Sequence, residues 1–405
     1  VSEVSFDTLT FSCSSTRWIR PYGDVINELL GSFGANEKAL VTDTFDGATR
    51  TGIQLEGSRT NTAQFNNALE NWSQVAIGVN ADSSETTDPA GNNESEELVP
   101  NTSEASHYLS QPAGEATDGI TYAASVFIKS GGYDGAIRIV LDEKHCRTRW
   151  DLSELSVLSE LNIVHSGIED SGDSWRDCWM TYLPVGTTSS AGERINVTVG
   201  DEESFIGDGT NSTYNYSAQV EAGHFHTSPI PNPADSSTAR SADNAYWAEV
   251  DVDSNLRGLI TVYVIPEFSS AMLYEEDGKH TVLHFDDATQ DYQIYFEQGA
   301  TSDTGRIVVY GASAVLTSGD HTWSRGQLLK LVIDPTSGEI TTSLFTTGND
   351  THSGSSWSTD DGDVYLGQKN DNTEQFFGII FEPEYEGGAE PAAALNNAMI
   401  YSRPF

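Results

Sequence analysis

The chain has 405 residues, with 61 Asp and Glu against 20 Lys and Arg, and a formal net charge of −41. Its length predicts two or three domains, each with its own core, and a field this negative repels phosphate, which argues against DNA or RNA as a partner. The 8 Trp, 16 Tyr and 16 Phe are spread from end to end, which argues against an acidic disordered chain.

Acidic residues are scattered and Lys is scarcer than Arg. That pattern suits a surface adapted to concentrated salt, marine or hypersaline, where screening over a few Å removes self-repulsion; an ordinary acidic surface is the alternative. No run of about 18 apolar residues occurs, so no helix is expected to insert in a membrane. The opening VSEVSFDTLTFS lacks a basic stretch followed by an apolar core, so the chain is expected to be made without a leader or to have lost it. Cys13, Cys146 and Cys178 allow at most one disulfide, and only Cys146 and Cys178 fall within one expected domain.

In chain order, residues 1–60 read as a mixed N-terminal arm with a short helix over Asp24–Leu30. The joint QLEGSRTNTAQFNNALENW, residues 54–72, comes next, with a helical piece near Asn66–Asn71. In it Glu56 and Arg59 are candidates for an ion pair that fixes the joint. Phe65 and Trp72 would anchor the entering strand, and Asn61 and its neighbours would cap irregular backbone. A polar insertion is expected over Asp82–Ser106. Strands are expected at Tyr122–Lys129, Ala136–Leu141, Ile195–Val199, Leu259–Ile265, Tyr292–Glu297, Arg306–Tyr310 and Leu328–Ile333, each short, β-branched or aromatic, and bounded by turn residues. Residues 231–244 read as a Pro- and Ser-rich linker. A last helical piece is expected at Pro391–Asn397. The fold class is therefore all-β, with strand-rich units at 61–230 and 245–405.

No nucleophile elbow, HExxH, P-loop or dinucleotide fingerprint is present. Acidic pairs such as Glu275/Glu276, Asp286/Asp287 and Asp360/Asp361 could supply a glycosidase, yet with 61 acids such pairs arise by chance, and no catalytic residue is assigned. His224 and His226 flank Phe225 at strand spacing, as two metal ligands would. A solvent-facing pair beside a core Phe is the favoured reading. Ser358–Asn372 gathers oxygen ligands that would suit Ca2+, or is an acidic turn before a strand; otherwise no cofactor is expected. Seven N-x-S/T sequons, among them Asn71, Asn196 and Asn349, are expected from composition. Trp150, Trp175, Trp179, Trp247, Trp323 and Trp357 offer flat surfaces on which sugars stack. Of these Trp150 and Trp179 read as core and Trp357 as exposed, so Trp357, Asp361 and Asn370 are the ligand-binding candidates.

FDGATRTGIQLEGSRTN, FNNALENWSQ and YSAQVEAGHFHTSPIPN resemble runs of tailed-phage tail-fibre and head-fibre proteins. Gly52, Glu56, Arg59, Thr60, Asn61, Phe65 and Trp72 match that family's G-x-x-x-E-x-x-R-T-N and aromatic positions, and residues 218–231 match its A-Q-x-E-x-G-x-x-x-T-S-x-I-P run. Thr62 replaces the family's usual Leu, and Ser12 and Cys13 stand where it has an Arg. The resemblance implies a carbohydrate-binding-module-like sandwich at 61–230. The second unit is similar to laminin-G or concanavalin-A-like sandwiches, giving two β-sandwich domains of jelly-roll or concanavalin-A-like type. In function the resemblance implies a non-enzymatic structural protein on the virion surface, in the tail or capsid, expected to adhere to host cell-surface glycan or glycoprotein in high salt. Other virion proteins and further copies of the chain, as a homo-oligomer, are the expected partners. A polysaccharide-degrading enzyme and a purely structural capsid decoration protein are the alternatives.

Overall fold

The structure, a computed structural model, describes residues 10–12, 17–18, 32–33, 40–45, 48–112, 117, 119–132, 136–141, 146–184, 192–198, 204–250, 258–276, 278–286, 291–311, 314–334, 339–342, 350–351, 362–369, 374–381 and 384–387. The fold is all-β, and all seven strands expected from sequence form, each within three residues of its expected ends. The chain divides into two compact units: a terminal unit of Val1–Ser15, Phe33–Ser58 and Ser241–Phe405, and an inserted unit of Thr16–Ser32 and Arg59–Arg240.

The inserted unit is a sandwich of two antiparallel sheets. One runs in the order Ser156–Leu161, Cys146–Asp151, Ala136–Leu141, Gly192–Thr198, Glu104–Pro112, Ser204–Ile206. The other runs His165–Asp170, Arg176–Tyr182, Tyr122–Gly131, Ser212–Ala222, Glu96–Pro100, Ile77–Asn80. Because successive side chains alternate across a strand, Ala124, Val126, Ile128, Cys178, Met180 and Tyr182 of the second sheet face Leu109, Trp150, Ile195 and Val197 of the first, and all are buried in one core. Cys146 and Cys178 both lie in this core as free thiols, so the disulfide that the sequence allowed is not made. Burial pushes the Cys178 thiol well above its ordinary range, and the neighbouring Asp177 adds to this, so it is chemically inert.

The outer face of the second sheet is also buried, and the cover is polar. Gln219 and Glu221 project from Ser212–Ala222 on this face and are 1% and 0% exposed. The chain at 227–230 lies over them: Ile230 N–H donates to Gln219 Oε1 at 2.7 Å, Thr227 Oγ1 donates to Glu221 Oε2 at 2.8 Å, and Gln219 Nε2 donates to Glu221 Oε1 at 2.9 Å. His226 is 1% exposed, 2.8 Å from Asp177 and stacked 5.4 Å from the Trp179 ring. The solvent-facing His pair expected from sequence is thus corrected. His226 is covered because the sheet's outer face is itself roofed, which strand alternation alone does not reveal.

Asn61 ties the entering strand to the same roof. Its Oδ1 accepts the N–H groups of Ala63 at 2.9 Å and Val220 at 3.1 Å, and its Nδ2 donates to Ile230 O at 3.0 Å. Asn66 and Asn232 continue the lattice, Asn66 Oδ1 accepting from Asn232 N–H at 2.6 Å and Asn232 Nδ2 donating to Ala63 O at 2.7 Å. The guanidinium of Arg59 lies 5.2 Å from the Phe225 ring centre and against Gly223, where a Cβ would fall 2.9 Å from Arg59 Nη2. Gly223 also has φ +147, so only glycine fits both the backbone and the guanidinium. The expected linker is therefore packed: Thr238–Arg240 pairs antiparallel with Arg59–Asn61, and Asn232 and Arg240 are buried.

The expected N-terminal arm also differs from its sequence reading. Leu40–Phe45 and Ala48–Leu55 form the edge of the terminal unit's larger sheet, Ala48–Leu55 pairing with Gly378–Phe381, while Thr10–Ser12 pairs with Asn244–Val250 in its other sheet. Polar residues at Arg50 and Gln54 hide this strand in the sequence; both are buried, with Arg50 Cζ 4.2 Å from the Tyr263 ring centre and Gln54 Nε2 3.5 Å from Glu267 Oε1. Glu56 stays with this unit, its N–H donating to Asp243 Oδ2 at 2.9 Å and its carbonyl accepting from Asp243 N–H at 2.9 Å. Glu56 and Arg59 thus belong to different units. The expected insertion Asp82–Ser106 contains the strand Glu96–Pro100 and the start of Glu104–Pro112. Near Asn66–Asn71 the expected helical piece is a single 3-10 turn, Leu69–Asn71. A helix not expected from sequence spans Ser270–Glu276, with Ser269 Oγ accepting from Met272 N–H at 3.3 Å as an N-cap does. The helices expected at Asp24–Leu30 and Pro391–Asn397, and Cys13, lie outside the described residues.

Asn61→Ala would strip a carbonyl and two N–H groups of their partners in a buried site, so it should lower urea-measured stability by about 3 kcal/mol. Asn71→Ala, at an exposed turn, should change it by less than about 0.5 kcal/mol.

Candidate functional site

The smaller sheet of the terminal unit runs Thr10–Ser12, Asn244–Val250, Gly362–Leu366, Lys279–Asp286, Asp291–Gln298, Gly305–Gly311, Ala314–Thr317. One register row crosses it as Ala245, Leu366, Leu283, Ile294, Val309, all at most 1% exposed; this is the core face. The next row crosses the same strands as Tyr246, Tyr365, His284, Gln293, Tyr310. Side chains alternate from one face to the other, so this second row faces away from the core and carries aromatic and polar groups in a line.

Tyr246 and Tyr365 are half-buried and stacked, with ring centres 5.3 Å apart and planes at 24°. His284 lies next in the row with its ring 5.9 Å from Tyr365, and it is fully buried. Gln293, also buried, donates through Nε2 to Glu374 Oε2 at 2.9 Å, and Glu374 is fastened by its carbonyl to the Thr281 N–H at 2.8 Å. At the far end Tyr310 is 38% exposed. Beside it Tyr295 has Lys279 Nζ 4.6 Å from its ring centre. Burial, then the charges of Glu297 and Glu374, push its phenol up to about 12, so it remains a neutral hydrogen-bond donor throughout the physiological range.

The accessible part of this arrangement is Tyr310 and the half-buried Tyr246 and Tyr365. The two tyrosine edges offer flat apolar surface with hydroxyls at their rims, while His284 and Gln293, between them and Tyr310 in the same row, are buried. Chemically it suits stacking against a planar apolar face such as that of a pyranose ring, with hydroxyls satisfied at the edges.

Trp357, Asp361 and Asn370 lie outside the described residues, and of Ser358–Asn372 only 362–369 are described. Trp150, Trp175, Trp179 and Trp323 are between 0% and 6% exposed, which removes them as sugar platforms; Trp150 and Trp179 were expected in the core. Trp175 roofs the outer face of its sheet with Phe127 and Tyr216, its indole N–H donating to Thr87 O at 3.0 Å. Trp247 lies on a strand next to Tyr246. Among the described residues no three His, Cys, Asp or Glu side chains are grouped to hold a metal. Sequence reasoning missed the tyrosine row because each member is one aromatic or polar residue in a β-rich run. Only cross-strand register brings them together.

No protein family matches the sequence by profile, and no curated protein matches it. Among solved structures, domains LG4–5 of the mouse laminin α1 chain match at 12% identity and a TM-score of 0.23, covering 70% of this chain and 86% of that one. The LG1–3 region of the laminin α2 chain matches at 9% identity and a TM-score of 0.26, covering 69% of this chain and 60% of that one. Overlaps this loose carry no weight for the site, and the all-β fold stands on the strand pairing itself.

Stacked half-buried rings couple by about 0.5–1.5 kcal/mol. A double-mutant cycle on Tyr246→Ala and Tyr365→Ala, followed by urea unfolding, should return a coupling of about 1 kcal/mol with the fold intact in each variant.

Proposed function

We propose that this chain is a non-enzymatic adhesion protein that binds neutral glycan through the outer face of the terminal unit's smaller sheet. The observation that carries this reading is the row Tyr246, Tyr365, His284, Gln293, Tyr310, an aromatic and polar line on an outward sheet face. At low ionic strength, charge narrows the ligand class. At a net charge of −41, sulfated or uronic polymers are repelled unless salt screens them, while uncharged sugars are indifferent to the field. A shallow aromatic strip buries little area, so each site is weak, and several copies on one particle would convert that to useful avidity.

The finer reading places those copies, as a homo-oligomer among other virion proteins, on the surface of a tailed virus whose host lives in concentrated salt. Its support is the likeness of Gly52–Asn61 and of residues 218–231 to tail-fibre and head-fibre runs, together with the acidic composition.

Affinity electrophoresis through neutral and anionic polysaccharides tests the proposal. Tyr365→Ala and Tyr310→Ala should each weaken retardation on a neutral glycan by roughly tenfold, equivalent to about 1.4 kcal/mol. Retardation should be the same at low and high salt. Unchanged binding in both variants would overturn the site, and new reducing ends appearing in the polysaccharide would overturn the non-enzymatic reading.

A further inference from the structure

At an ionic strength of about 1 M the net charge of −41 is screened within about 3 Å, so a preference for neutral over acidic sugar has to come from a group that touches the ligand. One carboxylate is fastened to the middle of the tyrosine row. Gln293, between His284 and Tyr310 in register, is 4% exposed, and its Nε2 donates to Glu374 Oε2 at 2.9 Å and to Thr281 Oγ1 at 3.3 Å. Thr281 lies directly across from Tyr295 on the same outward face. Its hydroxyl donates to the same Glu374 Oε2 at 3.4 Å, and its N–H donates to the Glu374 carbonyl at 2.8 Å.

Glu374 is thus held by its backbone and by its side chain. It adopts φ +53, a left-handed conformation that a residue with a Cβ takes up at a cost in strain. The chain that follows is anchored as well: Gln375 O lies 2.7 Å from His280 Nδ1, and the buried Phe376 donates its N–H to Gly367 O at 2.7 Å. Both side-chain hydrogen bonds fall on Oε2. Among the described residues Oε1 takes no hydrogen bond and is not enclosed, and Glu374 as a whole is half-buried. One carboxylate oxygen is committed to the sheet, and the other is left open over its outward face.

We infer that Glu374 sets the specificity of the tyrosine row: its Oε1 accepts a hydroxyl hydrogen of a neutral sugar and turns away sugars that carry a carboxylate or a sulfate. The inference rests on the reading that the row binds neutral glycan. An ionised carboxylate only accepts hydrogen bonds, so the groups it meets favourably are donors, and in a neutral sugar those are the hydroxyls. Hydrogen bonds to a charged acceptor are the stronger class. Because Gln293 and Thr281 already hold the carboxylate, binding orders no further side chain there.

An acidic sugar meets the opposite situation. A uronate or sulfate against Oε1 sets two negative acceptors together with no donor between them, at contact distance, where salt screens least. The tyrosines do not discriminate in this way, since an aromatic ring stacks on a pyranose face whatever its substituents carry. Affinity and selectivity therefore fall to different residues: Tyr246, Tyr365 and Tyr310 supply the first, and Glu374 supplies the second.

Frontal affinity chromatography of the full chain in about 1 M NaCl, on columns of galactomannan, O-methylated galactomannan and polygalacturonate, tests the inference. The methylated polymer keeps its apolar faces and loses its hydroxyl donors. The wild type should prefer galactomannan to either of the other two by about tenfold or more. Glu374→Gln has nearly the same shape, and with its amide oxygen on Gln293 it presents an N–H donor in place of Oε1. It should weaken binding to galactomannan by about tenfold and strengthen binding to polygalacturonate by about as much, with the thermal transition unchanged. Tyr310→Ala should weaken retention without changing the preference. An unaltered preference in Glu374→Gln would overturn the role of Glu374 and leave the row standing as a glycan site. Equal retention of the wild type on the parent and methylated polymers would overturn that role even where the variant does not fold. No retention on galactomannan, or retention unaltered by Tyr310→Ala, would overturn the row itself and this inference with it.

Discussion

The inserted unit depends on one buried polar lattice. Gln219 and Glu221 stand on the outer face of a sheet whose inner face is already a complete apolar core, and the chain at 223–232 is laid across them by hydrogen bonds instead of by apolar contact. Because each of these groups is out of reach of water, the lattice is stable only when nearly all its members are paired, and then it specifies one path for the chain. Asn61, Asn66 and Asn232 extend it to the entering segment, so that the entry at Arg59–Asn61 and the exit at Thr238–Arg240 run side by side as paired strands.

That host sandwich draws on both ends of the described chain. Thr10–Ser12, Leu40–Phe45 and Ala48–Leu55 join sheets otherwise built from residues beyond 241, so the terminal unit forms only from residues far apart in sequence. Pairing of such separation is slow to form and tightly specified once made. It fixes the register that lines up Tyr246, Tyr365, His284, Gln293 and Tyr310. The row is a by-product of register: a slip of one residue in any strand would turn its member into the core and put an aliphatic side chain in its place.

Much of the framework is legible in the chain. Runs such as YAASVFIK and LITVYVI announce strands because β-branched and aromatic residues fit a pleated, half-buried surface, and the E-x-x-R-T-N and A-Q-x-E-x-G runs draw attention to the right positions. Their purpose is not legible. Arg59 reads as one half of an ion pair with Glu56, and nothing in that reading announces that its guanidinium lies over Phe225 and against Gly223. His224 and His226 read as a pair on a wet face, while His226 is enclosed between Asp177 and Trp179. Arg50 and Gln54 read as signs of a loose arm, although both are buried on a sheet. The histidines and the arm residues are assigned to solvent because their partners lie more than a hundred residues away or on a roofed outer face, and local pattern carries no record of either.

By itself the sequence determined the all-β class, the positions of seven of the strands and the sign of the charge that restricts what this surface can meet, since these come from local residue preference and from simple totals. Tertiary structure decided which strands pair, that residues 59–240 are an insertion, that four tryptophans are buried and that the tyrosines form a line. Those outcomes rest on cross-strand register and on the closure of the buried lattice, both set by contacts between distant parts of the chain.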